Sequence, residues 1–176
     1  YTYASAGTYP VTLIIETVGG CRDTATGFAE VLPGPLAIFE ADTACLGDST
    51  CFTDLSVPNA TSIVSWSWTF GNGQSSTEQN PCVLYNNHGT FNVTLTVTND
   101  LGCTDDTTII IEVYPNPEAN FTYVADCNYE VTFTDTSIPN ATSLTAWSWD
   151  FGDGNTSTAQ NPVHTYGAAG NYSVTL

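Results

Sequence analysis

At 176 residues the chain has room for one large domain or two small ones, and a net charge of −17 with a single Lys or Arg excludes nucleic acid and anionic membrane surfaces as partners, because both require cations. No stretch approaches 18 consecutive apolar residues, so insertion into a membrane is not expected either. Six cysteines with no CxxC pair favour disulfides over metal, which implies an oxidising, extracellular or cell-surface setting.

In chain order, residues 1–16 read as a long strand with Tyr9, Val11, Leu13 and Ile15 on one face. Val18-Gly19-Gly20-Cys21 turns it, and residues 24–31 return, making a closing hairpin. Leu32-Pro33-Gly34-Pro35 is a short stiff linker, since its two prolines fix φ and remove hydrogen-bond donors. A new unit opens at Leu36. Residues 36–41 and 49–54 are its first strands, and 63–70 a third with Trp66, Trp68 and Phe70 inward. Residues 82–85 form a short strand, and 89–98 place Phe91, Val93, Leu95 and Val97 inward. After Asn99-Asp100-Leu101-Gly102 the chain returns through 107–113. Short strands at this density predict a β-sandwich, and nothing reads as helix. Tyr114-Pro115-Asn116-Pro117 repeats the linker, and Glu118 opens the last unit. There Trp147, Trp149 and Phe151 alternate ahead of the turn Gly152-Asp153-Gly154-Asn155. Asn161-Pro162 punctuates again, and Tyr172, Val174 and Leu176 share one face of a final strand.

The units are copies of one another. Residues 52–95 match residues 133–176 at 25 of 44 positions without a gap. Gly7, Gly89 and Gly170, spaced 82 and 81 residues apart, each precede an aromatic residue by two positions: Tyr9, Phe91 and Tyr172. This period predicts that residues 1–34 are the closing strands of one domain, 35–115 a complete domain, and 116–176 the front of a domain without its last strand or strands. Unpaired edges at both ends predict completion by neighbouring copies, head to tail, or by a longer polypeptide.

The motifs Trp149-Asp150-Phe151-Gly152-Asp153-Gly154, Pro162, His164-Thr165-Tyr166 and Gly170 to Leu176 resemble the PKD (polycystic kidney disease) domain, an immunoglobulin-like β-sandwich. Trp68 to Gly73, Pro81, Tyr85 and Gly89 to Leu95 resemble it a second time. The resemblance implies an all-β chain of tandem immunoglobulin-like sandwiches whose ends fall inside domains. The middle copy departs from the motif at Thr69 and Asn72, where both acids are lost, and at Val83 in place of His164.

Cys45, Cys51, Cys82 and Cys103 fall within the complete domain and allow three pairings. The resemblance to bacterial PKD repeats implies Cys45 with Cys103, which leaves Cys51 with Cys82. Cys21 occupies the turn equivalent to Cys103, and Cys127 sits near the equivalent of Cys45, so these two are expected to form an inter-repeat or intermolecular disulfide.

No catalytic constellation is present. Asp150 and Asp153 resemble a carboxylate pair, but Thr69 and Asn72 replace them in the middle copy, so a structural role in the turn is expected. No GxSxG occurs, and His88 and His164 lack a nucleophile at a recognisable spacing. No catalytic, metal-binding or cofactor-binding residue is expected. Calcium, which some PKD domains carry, is the one cation left open, without any EF-hand spacing to hold it. Tyr3, Tyr85 and Tyr166 recur at the position of a tyrosine corner, and His164 is expected to be a structural hydrogen-bonding residue beside it. Alternation places Trp66, Trp68, Trp147 and Trp149 in the core, which argues against a carbohydrate or protein ligand stacked on an exposed ring. Of six N-x-Ser/Thr triplets, those headed by Asn59 and Asn140 lie in equivalent loops and are the glycosylation candidates. Asp23-Thr24-Ala25 and Asp42-Thr43-Ala44 are similar to a bacterial O-glycosylation triplet.

Together these features predict a non-enzymatic extracellular structural repeat, forming a stiff stalk or filament on a microbial surface with neighbouring copies of itself as partners. The alternative is an accessory binding or spacer module of a large secreted hydrolase or adhesin, the setting the PKD resemblance also implies.

Overall fold

The computed structural model describes residues 1–176, and every regular element in it is a β-strand. The chain divides into two compact units, Tyr1–Asn86 with Thr90–Glu112, and Asn87–Gly89 with Val113–Leu176.

Strands β1 (Gly7–Glu16) and β2 (Arg22–Val31) form an antiparallel hairpin in continuous register from Gly7↔Val31 to Glu16↔Arg22. Gly20, at φ 82°, closes the turn by donating to the Thr17 carbonyl at 2.8 Å. The expected alternation is present, but β1 begins at Gly7 rather than Tyr1, because its partner ends at Val31. Val11, Leu13 and Ile15 are all exposed.

The next segment contains β3 (Phe39–Ala41), β4 (Ala44–Cys45), β5 (Ser49–Asp54), β6 (Ile63–Thr69), β7 (Ser75–Ser76), β8 (Cys82–Leu84), β9 (Gly89–Asn99) and β10 (Thr104–Tyr114). One sheet has the order β4-β10-β9-β6-β7 and the other β3-β5-β8. β4 and β7 were not foreseen, since a two-residue strand carries no period to read. The core between the sheets is aromatic. Phe39 meets Trp68 edge-on at 4.9 Å, Phe52 lies 5.6 Å from Trp68 and 5.2 Å from Phe70, and Val93, Leu95, Val97 and Val113 seal it. Cys51 and Cys82, directly opposite each other on β5 and β8, are joined by a disulfide.

The Cys45–Cys103 bond is not formed. Cys45, at the end of β4, and Cys103, just before the neighbouring β10 and with its backbone N–H donating to Asn99 Oδ1 at 2.8 Å, are both exposed thiols in this structure.

The last unit contains β11 (Phe121–Ala125), β12 (Glu130–Asp135), β13 (Trp149–Asp150), β14 (Thr156–Ser157) and β15 (Val163–Thr165). β11-β12-β15 reproduces the β3-β5-β8 sheet, and β13-β14 reproduces the β6-β7 pair. Phe121, Phe133, Trp149 and Phe151 repeat the aromatic cluster. Here the strand expected from Trp147 is only two residues long, because its neighbour contributes a single bridge, Asp150↔Thr175.

Candidate functional site

The turn after the tryptophan strand is built to bring two backbones together. Gly71 (φ 72°) lies where a Cβ would stand 2.7 Å from the Asn92 carbonyl oxygen, and Gly152 (φ 76°) would collide with the Ser173 carbonyl in the same way. Only glycine meets both demands. Asp150 and Asp153 serve the turn itself. Asp150 Oδ1 accepts from Gly152 N–H at 2.9 Å, and Asp153 Oδ1 from Asn155 N–H at 3.0 Å.

Asp153 also meets His164 Nε2 at 2.8 Å, and the imidazole stacks on Phe151 at 4.2 Å and 4°. Asp153 is thereby held low, at about 2, first by the Asn155 backbone N–H and then by the His164 bond. In the middle sandwich Asn72 and Val83 stand at the matching places, and the Asn72 amide nitrogen is buried without a partner. The acid and the imidazole are thus gained or lost as a pair. Tyr85 and Tyr166 both donate to a backbone carbonyl in the core, that of Phe70 and of Phe151, each at 3.1 Å. Burial pushes the Tyr85 hydroxyl up to about 12. Tyr3, the third of the series, stacks on Tyr9 at 4.2 Å, as Tyr166 does on Tyr172 at 4.0 Å.

Trp68 and Trp149 are fully buried, whereas Trp66 and Trp147 sit at the boundary with their indole N–H groups on carboxylates. Trp66 donates to Asp54 Oδ2 at 2.6 Å and Trp147 to Asp135 Oδ2 at 2.8 Å. Gln79 and Gln160 donate to the same oxygens, and the Ser56 and Ser137 N–H groups to the other carboxylate oxygen. Burial raises Asp54, yet the bonds from Ser56, Gln79 and Trp66 more than reverse it. Asp135 is held at about 2, chiefly by Ser137. Neither acid was singled out from the sequence. The signal was the Asp-x-Ser, Trp and Gln-Asn-Pro positions conserved between the two copies at a constant offset of 81.

Asn59 and Asn140, the glycosylation candidates, have a task on the linkers. Both adopt left-handed φ, 60° and 62°, and each donates its side-chain Nδ2 at 2.8 Å to a linker carbonyl, Gly34 and Asn116 respectively. That nitrogen is the atom a glycan would modify, so a sugar there would have to sit against the linker backbone. Cys21 and Cys127 are exposed thiols. No three side chains among His, Cys, Asp and Glu converge into a cluster fit for a metal ion, and no helix is long and apolar enough to cross a membrane.

The last unit contains a groove of about 570 Å³, and the first hairpin a shallower one of about 700 Å³ lined by Tyr1, Tyr3, Tyr9 and Val11. The groove of the last unit is lined by Phe121, Tyr123, Val131, Phe133, Tyr166 and Tyr172, with Cys127 at its rim. Its walls are β11 and β12 on one side and the segment from Tyr166 to Val174 on the other.

Comparison with known proteins bears on this arrangement. The family model described as the PKD domain matches residues 33–114 and again 112–176. The chain belongs to the PKD domain family. A stretch of 93 residues is 41% identical to the pre-pro-metalloprotease PrtV of Vibrio cholerae serotype O1, covering 51% of this chain and 10% of that protein. Among solved structures, the PKD1 domain of Vibrio anguillarum Epp is similar at 38% identity and a TM-score of 0.45, covering 47% of this chain and 96% of that one. The PKD1 domain of Vibrio cholerae PrtV is similar at 41% identity and a TM-score of 0.44, covering 46% of this chain and 98% of that one. The chain therefore spans about a tenth of the curated relatives it matches, and what it shares with them is the PKD module, which is not itself a catalytic domain.

Proposed function

We propose that this chain is a stretch of a non-enzymatic extracellular structural repeat, in which tandem PKD sandwiches form a stiff stalk or filament on a microbial surface and incomplete units are completed head to tail. The observation that carries the reading is the repeated linker clamp. Asn59 grips Gly34 and Asn140 grips Asn116 with the same atom, the same backbone conformation and the same 2.8 Å bond. Ala37 N–H is tied as well, to Asp105 at 2.8 Å. A proline-bearing linker bonded to the domain that follows it has little freedom to bend, whereas a linker serving only for reach is better made of Gly and Ser. The exposed acids and the near absence of Lys and Arg keep such a surface soluble and leave trypsin-like proteases few sites.

A second reading has its own support. The 41% identity to part of a pre-pro-metalloprotease favours an accessory module beside a secreted hydrolase. Peptide mapping of the native polypeptide, with its mass measured with and without reductant, separates the two. Further copies of the unit with no catalytic domain are the expected result, and a protease domain adjoining these repeats would overturn the stalk in favour of the accessory role.

A further inference from the structure

Cys51 and Cys82 stand directly opposite each other on β5 and β8, and the bond between them crosses the outer face of the β3-β5-β8 sheet. Thr50 and Phe52 on either side of Cys51 are buried, as are Pro81 and Val83 on either side of Cys82. Alternation therefore turns both sulfurs away from the core. Cys82, on the edge strand, is exposed and Cys51 half-buried. The bond fills no space in the aromatic cluster.

Nor does β8 need it to stay in register. Phe52 N–H donates to the Pro81 carbonyl at 2.9 Å, Asp54 N–H to Asn80 Oδ1 at 2.8 Å, and the Tyr85 hydroxyl to the Phe70 carbonyl at 3.1 Å. In the last unit Phe133, Asp135 and Tyr166 make the same three bonds, to Pro162 at 2.9 Å, Asn161 at 2.8 Å and Phe151 at 3.1 Å. There the opposed residues are Thr132 and Val163. The two copies hold this edge strand by the same anchors, one with a disulfide across the pair and one with none.

We propose that the Cys51–Cys82 bond is a thiol-exchange site, opened by a small neutral or cationic thiol while the middle sandwich stays folded. The attacking thiolate bonds to Cys82 Sγ, the more exposed sulfur, as the bond to Cys51 breaks. Cys51 leaves as a thiolate and takes up a proton. A second thiol then attacks the sulfur of the bound small molecule, which departs as a symmetric disulfide and leaves a thiol on Cys82. Two thiols are oxidised, the protein disulfide is reduced, and the two protons end on Cys51 and Cys82. Because the anchors keep Cys51 opposite Cys82, return attack by Cys51 on the mixed disulfide expels the small thiol and closes the site again. The charge of the reactant follows from that of the chain, since a net −17 repels an anionic thiol and admits a neutral or cationic one.

The test uses the whole 176-residue chain, folded, with Cys21, Cys45, Cys103 and Cys127 first blocked by N-ethylmaleimide. Cysteamine is added without denaturant, the reaction is quenched with acid, and the products are mapped after labelling with iodoacetamide. A cysteamine adduct on Cys82 is expected first and two labelled thiols later, with the fluorescence of the buried tryptophans unchanged. The rate should vary by less than about twofold across urea concentrations below the unfolding transition, whereas attack that waits for unfolding would accelerate about fivefold or more per molar urea. Cys51→Thr with Cys82→Val, which copies the pair of the last unit, should fold with native fluorescence. A bond that cysteamine leaves intact in the folded chain, reduction that urea accelerates, an adduct confined to Cys51, native fluorescence lost on reduction, or a double variant that fails to fold would each overturn the site.

Discussion

The middle sandwich and the last unit match at 25 of 44 aligned positions, and they differ in how fully their aromatic clusters are covered. Val93 and Leu95 are completely buried, while their counterparts Val174 and Leu176 are only partly covered. Trp68 and Trp149 are nonetheless both fully buried. In both units the tryptophan is enclosed by its own strand, by the opposing phenylalanines and by the strand that follows, which in the last unit is Tyr172, Val174 and Leu176. What the β9–β10 hairpin adds in the middle sandwich is the cover over Phe39, Thr50 and their neighbours. The fold is thus assembled from an aromatic kernel that each unit makes for itself and a lid that the middle sandwich draws from β9 and β10.

The largest effect should come from removing the kernel. Trp68→Ala should destabilise the middle sandwich by about 3–5 kcal/mol, and Trp149→Ala the last unit by a similar amount, read from denaturant unfolding followed by tryptophan fluorescence. If Trp149→Ala costs far less, the aromatic kernel is not what holds the last unit together. Next is the disulfide, which distinguishes the two copies because Thr132 and Val163 occupy the last unit's equivalents of Cys51 and Cys82. Cys51→Ser with Cys82→Ser should cost the middle sandwich about 2–4 kcal/mol, and a reductant should lower its melting transition while leaving the last unit's unchanged, as differential scanning calorimetry would resolve.

The kernel was legible in the sequence because alternation at a period of two survives in both copies, and the internal repeat marked which residues mattered twice. The linkers were legible as stiff from their prolines, but the reason for their stiffness was not. It lies in side chains about 25 residues away, Asn59 on Gly34 and Asn140 on Asn116, and a long-range bond leaves no local period. The Asp54 and Asp135 nodes were missed for the same reason, since each joins three separate strands and loops through one carboxylate. The expected Cys45–Cys103 pairing came from resemblance, because the spacing of four cysteines leaves three pairings open.

Acid should separate the copies next. Asp153 titrates lower in the folded chain than in the unfolded one, so its contribution to stability is in force above the ordinary carboxylate range and is lost as pH falls from about 4 towards about 2. Asn72 does not titrate, so the middle sandwich lacks this loss, although Asp54 and Asp135 give both copies a shared one. Asp153→Asn should therefore lower the last unit's stability at neutral pH and flatten its acid-unfolding curve toward that of the middle sandwich. An unchanged curve would mean the Asp153–His164 contact does not act on folding.

The smallest effect falls on the linkers and decides whether they are stiff by composition or by clamping. Asn59→Ala removes one hydrogen bond, worth about 1 kcal/mol, and places a residue poorly suited to left-handed φ at 60°. Global stability should fall by only about 1–2 kcal/mol, whereas the amide order parameter of Gly34 should drop to that of a flexible loop. Pro35 restricts the residue before it chiefly through a clash with that residue's Cβ, which Gly34 lacks, so Gly34 is the linker position that keeps backbone freedom once the Asn59 side chain lets go. An order parameter that stays high in Asn59→Ala would assign the stiffness to the prolines and remove the clamp from the mechanism.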